Sequence, residues 1–312
     1  MAALNRDTAL QGINSNTLRG KGLLSVVKRN YAGWLIILPS MILLYYIIWR
    51  PIFIGARQSL FQLSGYNAVK FVGLKNYIDV LTDTFFLQTL TNTVSYVAWS
   101  LIIGLPIPFI TAVLINEMLH GKSFFKFAVY FPVIVPGVAA SLIWYFVYQP
   151  GADGLLNSML YYIGLGPFRW LQDKAFTIPL IIIAATWNGF GATMMMYLAS
   201  LQSINQELYE AARIDGAGFW RRVSHIMFPH MRGVVLLLLV RQIISVFQIM
   251  EQPLAMTAGG PNRASVSLAL QSYNYAFVNF QTDKALALGM ITFILLIGLT
   301  WVYFSMDKKI NE

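Results

Sequence analysis

Residues 91–116 read TNTVSYVAWSLIIGLPIPFITAVLIN, a run without a single Asp, Glu, Lys, Arg or His. About 20 mainly apolar residues in a helix span the ~30 Å hydrocarbon core of a bilayer, so this run crosses one with length to spare. Working outward, five more stretches meet the same test: 32–54, 126–148, 175–200, 233–253 and 285–306. Composition agrees. Of 312 residues, 57% are hydrophobic and 11% charged, against about 25% charged in a soluble domain. The fold class that follows is all-α: a polytopic membrane protein with six transmembrane helices over residues 32–306.

Pro39, Pro106, Pro108, Pro132, Pro136 and Pro179 fall inside these stretches. In lipid a freed backbone group is tolerated only where a neighbour re-satisfies it, so a tight bundle is expected. Orientation follows from charge. Of the 22 Lys and Arg residues, thirteen lie on one side of the six crossings, eight on the other, and Arg241 inside the fifth. The side with the excess faces the cytoplasm. That puts both termini inside, with an N-terminal tail at 1–31, a cytoplasmic loop at 201–232 and a short tail at 307–312. A basic run before an apolar one also opens a secretory signal, but Trp49, Arg50 and Pro51 follow the first apolar block instead of small residues suited to cleavage. The first span is read as retained. Residues 17–30 (TLRGKGLLSVVKRN) mix leucine and valine with basic side chains, and fit either an interfacial helix on the inner leaflet or a disordered basic tail.

Several function classes drop out. A net charge of +9 suggests nucleic acid, yet the basic residues are dispersed between apolar blocks and not gathered on one polar surface. There is no cysteine, and His120, His225 and His230 show no HExxH spacing, so no metal site is expected. Gly121-Lys122-Ser123 ends like a phosphate-binding loop, but Asn116 stands where its first glycine belongs. No cluster of His, Asp and Glu at productive spacing marks a membrane-embedded enzyme. An ion-coupled secondary transporter stays as the alternative; it would be expected to show repeat-related halves and ion-coordinating groups at the membrane midplane. Neither is visible.

The stretch from Ser203 to Pro229 is the least hydrophobic long segment on the inner side, and it is strongly patterned. Ser203 with Gln206 reads as a capping-box start. Ile204, Leu208, Ala211 and Ala212 then share one helical face, and Asp215-Gly216 supplies a turn. A second amphipathic helix sets Phe219, Val223, Ile226 and Met227 against Arg221 and Arg222. Patterning alone leaves two readings open: a helix pair packed on its own bundle, or a surface that small residues open to a partner.

Glu210-Ala211-Ala212, then Asp215-Gly216-Ala217 and a closing Ile226-Met227-Phe228-Pro229, closely resemble the EAA loop of permeases from ATP-binding-cassette importers. The fuller form Glu-Leu-Tyr-Glu-Ala-Ala-x-x-Asp-Gly-Ala looks like the carbohydrate-uptake, maltose-type branch. Many relatives carry a second proline after the first; here His230, Met231, Arg232 and Gly233 follow, which leaves the exit of the second helix open. Phe71–Tyr77 looks like the family's GLxNY segment, and Thr257-Ala-Gly-Gly-Pro261 like its Thr-x-Gly-Gly-Pro loop. The resemblance runs from about residue 32 to residue 306. It implies a multi-pass permease of the bacterial cytoplasmic (inner) membrane, surrounded by lipid. Its implied partners are a second homologous permease, two ATPase subunits and an extracytoplasmic substrate-binding protein that delivers a sugar; nucleic acid is not among them. ATP and Mg would sit on the ATPase, with no cofactor on this chain and no catalysis by it. Glu210, Ala211, Ala212, Asp215, Gly216 and Ala217 are the implied ATPase-coupling residues.

An ionisable side chain within a span defaults to function, and Arg241 is the clear case. At about 100° per residue, Ser245, Gln248 and Gln252 lie at roughly +40°, −20° and +20° from Arg241, a polar stripe that faces either a water-filled pathway or an inter-helix seam. Sugar rings have apolar faces and hydroxyl edges, so Trp187 with Asn188, and Trp144 with Tyr145 and Tyr148, are further pathway candidates; membrane-interface aromatics would look the same. Met194, Met195 and Met196 read as packing. Arg241 also points to the cargo: its planar fork suits a carboxylate, so the expected oligosaccharide is either neutral or anionic.

Overall fold

The structure, a computed structural model, describes residues 31–311; the helix or tail considered at 17–30 lies outside them. The described chain divides between Arg57 and Gln58 into two units. The first is helical from Tyr31, with Pro39 inside its opening segment Tyr31–Leu44. Its Trp34, Ile36 and Leu43 side chains are exposed, as a helix apolar all round presents itself when lipid is its solvent.

Among the described residues, five helices are long and apolar enough to cross a membrane: Gly33–Gln58, Phe86–Glu117, Lys174–Gln202, Phe219–Phe247 and Thr282–Ser305. Residues 126–148, expected as the third span, form a bent pair, Lys122–Ile134 and Gly137–Val147, turned through 98°. The third expected span is therefore not one rod. Pro136 disfavours helical geometry in the residue before it, and Val135 takes an extended conformation with ψ 126°. The helix of the last span continues to Asn311.

Other prolines are absorbed without a break. A proline ring collides with the carbonyl four residues back and brings no N–H. Arg50, Leu105 and Phe228 each directly precede a proline, and each donates its N–H five residues back, to the carbonyls of Tyr45, Ser100 and Val223. Each is a single wide π turn that makes room for the ring. The second span thus passes through Pro106 and the fifth through Pro229. That answers the exit of the loop's second helix: it runs straight into the fifth span.

Lys174–Gln202 is the central helix, packing against the second span, Lys122–Ile134 and the fifth span. Asp173 caps its start, accepting from the Ala175 N–H at 2.9 Å. Around its first half, Ile181 and Ile182 pack in a core with Tyr96 and Val246. Around its second half, Met194, Tyr197, Leu198 and Leu201 pack with Ala112, Met227 and Met231. Of the three methionines read as packing, Met194 is buried here, whereas Met195 and Met196 are exposed. A third core joins Leu288 of the sixth span to Leu268 and Val80.

One element was not foreseen. Phe61–Ser64 and Asn67–Phe71 pair as an antiparallel hairpin with Phe61 opposite Phe71. Asn76 of the GLxNY segment ties it down, donating to the carbonyls of Ser59 at 2.8 Å and Phe61 at 2.9 Å. Tyr77 adds a 2.6 Å hydroxyl contact to Ser59. That motif holds the hairpin to the helix Lys75–Leu81.

Candidate functional site

Helix breaks and wide turns converge on one place. At the bend of the third span, the Asn188 amide donates to the carbonyls of Pro132 at 2.8 Å and Val135 at 3.2 Å. Both carbonyls lie at the break, so the amide hydrogens are committed to backbone.

The fifth span, expected to run to 253, stops at Phe247. After Gln248–Met250 a short helix, Glu251–Thr257, begins afresh. Pro253 is the cause. It has no N–H for the carbonyl four residues back, that of Ile249, which instead accepts from the Ser267 hydroxyl. The chain then turns through the Thr-x-Gly-Gly-Pro loop with Ala258 and Gly259 at φ +49° and +88°. Tyr96 holds that loop by donating to the Ser265 carbonyl at 3.0 Å, and Asn92 by donating to that of Arg263 at 2.8 Å.

Between these breaks lies a cavity of about 420 Å³. Arg241, Ser245, Gln248 and Gln252 all border it, as does Asn188. The stripe thus meets one space, although its last member sits on the separate helix. Non-helical backbone at membrane depth is tolerated where it is buried in protein or lines a cavity, and here it lines one. Trp187, Trp144 and Tyr148 are elsewhere. Trp144 packs edge-on to Trp187 at 5.9 Å and against Tyr148 at 5.1 Å, within the core around Ile181. Trp144 meets both of the other rings, and none of the three lines this cavity.

Sequence reasoning missed several of the lining residues. Thr186, Gly189 and Thr193 border the cavity; their i, i+3, i+7 spacing was a readable stripe. Gln242 also lines it, lying so close over the wide turn that a Cβ on Gly104 would meet its Nε2 at 2.8 Å. Glu251 reaches the cavity because the helix restarts there, with its carboxylate against Gly137. Among the described residues Arg241 joins no ion pair; its Nη1 donates to the Met196 sulfur at 3.2 Å. A thioether is a weak acceptor, so the guanidinium keeps most of its hydrogen-bonding capacity for whatever enters.

The second candidate region is the loop. Its helix, Gln206–Ile214, is capped by Asn205, which accepts from the Glu207 N–H at 3.0 Å. Ser203, the expected cap, instead closes the preceding helix by donating to the Ser200 carbonyl at 2.8 Å. The start two residues later changes the face: Ile204 precedes the helix and is buried, while Leu208 is exposed. Gly216, at φ +69°, ends the helix, and the Ala217 N–H reaches the Ala212 carbonyl at 2.8 Å, the six-to-one closure that a left-handed residue permits. Glu210, Ala211, Asp215 and Gly216 are exposed, Ala212 and Ala217 half-buried. Arg222 pins the loop's other side to the end of the second span, pairing with Glu117 at 2.5 Å and donating to the Ala217 carbonyl at 3.2 Å. Both side chains of that pair are largely covered, at 13% and 17% exposure. Removing one partner of such a pair is far costlier than its net worth suggests. Burial, then the Glu117 carboxylate, raises the nearby Tyr209 phenol above the usual tyrosine range.

Membrane-crossing helices broken around a polar cavity, with an exposed helical elbow joining the fourth and fifth, define a transport permease. The chain belongs to the family described as binding-protein-dependent transport system inner membrane component, which matches residues 104–312. It is 33% identical to the probable ABC transporter permease protein YurN of Bacillus subtilis, over 89% of this chain and 97% of that one. With the trehalose/maltose transport system permease protein MalF of Thermococcus litoralis it shares 30% identity over 88% and 93%. Among solved structures, the fold matches that of a bacterial ABC transporter involved in the import of the acidic polysaccharide alginate. The TM-score is 0.81 at 22% identity, covering 94% of this chain and all of that one.

Proposed function

We propose that this chain is the sugar-translocating subunit of a bacterial ATP-driven importer, working with a second homologous permease, two ATPase subunits and an extracytoplasmic binding protein. ATP and its magnesium sit on the ATPases, which dock on Glu210–Ala217. The observation that carries the reading is one chain holding both a polar cavity at its helix breaks and an exposed Glu-Ala-Ala elbow. Relatives named for lactose, arabinooligosaccharide and trehalose/maltose transport support a sugar cargo. Both termini face the cytoplasm. A reporter fused after Lys309 should therefore read cytoplasmic and one inserted near Asp153 or Asn262 extracytoplasmic; the opposite pattern contradicts the positive-inside argument.

The cargo is an oligosaccharide that bears carboxylates. Arg241 has no acidic partner among the described residues, and a relative named for sn-glycerol-3-phosphate and a structural neighbour named for alginate handle anions. The test is uptake of a uronate trisaccharide and of maltotriose by the complete reconstituted complex carrying Arg241→Gln or Arg241→Lys. A hydrogen bond to a charged group contributes about 1.5–3 kcal/mol, so Arg241→Gln should slow uronate uptake roughly 10- to 100-fold. Arg241→Lys should recover part of it. Unchanged uronate uptake in both variants, with normal assembly, removes Arg241 from the pathway.

A further inference from the structure

A second cavity, of about 390 Å³, lies at the other end of the short helix Glu251–Thr257. The helix start, Glu251 and Gln252, borders the first cavity, whereas its end, Met256 and Thr257, borders the second. The two linings differ in kind. The second has no charged residue; its walls include Tyr145, Tyr148, Gln149, Gln172 and Pro261. Tyr145 is 41% exposed, while Tyr148 is wedged between Trp144 at 5.1 Å and Trp170 at 6.3 Å, which fix its ring. The side-chain amides of Gln149 and Gln172 make no hydrogen bond with another described residue, and both residues are exposed. The Thr257 hydroxyl, by contrast, is engaged with the Pro253 carbonyl at 2.8 Å.

The exposed Tyr145 ring beside free amides suits a ligand with apolar C–H faces and hydroxyl edges, and the volume falls within the roughly 300–1,000 Å³ of small-molecule sites. We infer that this cavity is a second sugar subsite, facing outward and in series with the first, holding a neutral ring of the cargo through Tyr145, Gln149 and Gln172. The inference rests on the sugar-importer reading. In that orientation the cavity opens on the side where the binding protein delivers, and the short helix separates the holding site from the charged cavity beyond. A mixed oligosaccharide would be gripped by its ring faces first and by its carboxylates second.

The chain has no cysteine, which permits a direct test. Gln172→Cys and Gln149→Cys are made separately, with Asp153→Cys as an exposed control on the same side. Each is assembled with cysteine-free partner subunits in nanodiscs, and labelling by a membrane-impermeant maleimide is timed with lactose, maltotriose or a uronate trisaccharide. Wild-type uptake of the same panel is measured in parallel. Site occupancy slows labelling by a factor of one plus ligand over Kd, so about tenfold protection is expected at roughly ten times Kd. A transported sugar should protect both cavity positions and leave Asp153→Cys unaffected. If a panel sugar is transported yet both cavity positions label at their free rates up to saturation of uptake, the second subsite is wrong and the importer reading stands. If the complete complex transports no sugar, the importer reading itself fails and takes this inference with it.

Discussion

Replacing Gly216 with valine is expected to cut substrate-stimulated ATP hydrolysis and uptake by at least about tenfold while the chain still inserts in the membrane. Gly216 sits at φ +69°, and a Cβ added there would meet nothing within 4 Å. The penalty therefore comes from the backbone. Left-handed geometry costs an ordinary residue roughly 1–2 kcal/mol, and a β-branched one is a genuine outlier there. The turn would relax toward right-handed geometry and lose the Ala217-to-Ala212 closure. Gln206–Ile214 would then meet the ATPase at the wrong angle, although Arg222 and Glu117 still anchor the next turn. Gly216→Asn is the matching control, since Asn tolerates the left-handed region and should keep most of the coupling. Wild-type stimulation in the valine variant, measured in proteoliposomes, would remove the loop from coupling.

The largest effect on assembly is expected from Gly191→Leu. A Cβ at Gly191 would lie 2.4 Å from the Val129 carbonyl oxygen and 2.9 Å from the Tyr130 Cα. Both obstacles are backbone, so no side-chain rotation relieves them. Small residues at such crossings are what let membrane helices approach closely, and overpacking a tight core costs typically about 1–3 kcal/mol, occasionally more. Here the clash separates the central helix from Lys122–Ile134 and disturbs the Asn188 bonds to Pro132 and Val135, one turn away. Purification should give little intact complex from this variant, with a clearly lowered melting temperature in detergent. Normal yield and melting would mean that the two helices do not approach as described.

Hydropathy alone made the crossings legible, because a span must be apolar over a fixed length whatever it packs against. The breaks were less so. Pro136 and Pro253 announce missing N–H groups, but whether a helix bulges, as before Pro106 and Pro229, or stops depends on the freed carbonyl finding a partner. Asn188 and Ser267 supply those partners from distant sequence. The Arg241 stripe survived the end of its helix because the chain turns back on the same cavity. Glu251 joins the cavity because a new helix starts there after the fifth span has stopped. Trp144 and Trp187 show the opposite limit. Composition cannot tell a ring that stacks on a ligand from one that stacks on its neighbour, as Trp144 does on Tyr148. In the loop, two polar residues two positions apart both qualified as the cap; Asn205 took the role because Ser203 still closes the preceding turn.

The most direct test of the account is uptake of labelled oligosaccharide into proteoliposomes holding this chain, its partner permease and the ATPases. The predicted result is accumulation that requires both ATP and the binding protein and is indifferent to collapse of proton and sodium gradients. Accumulation by the chain alone, without ATP and abolished when an ion gradient is dissipated, would contradict it.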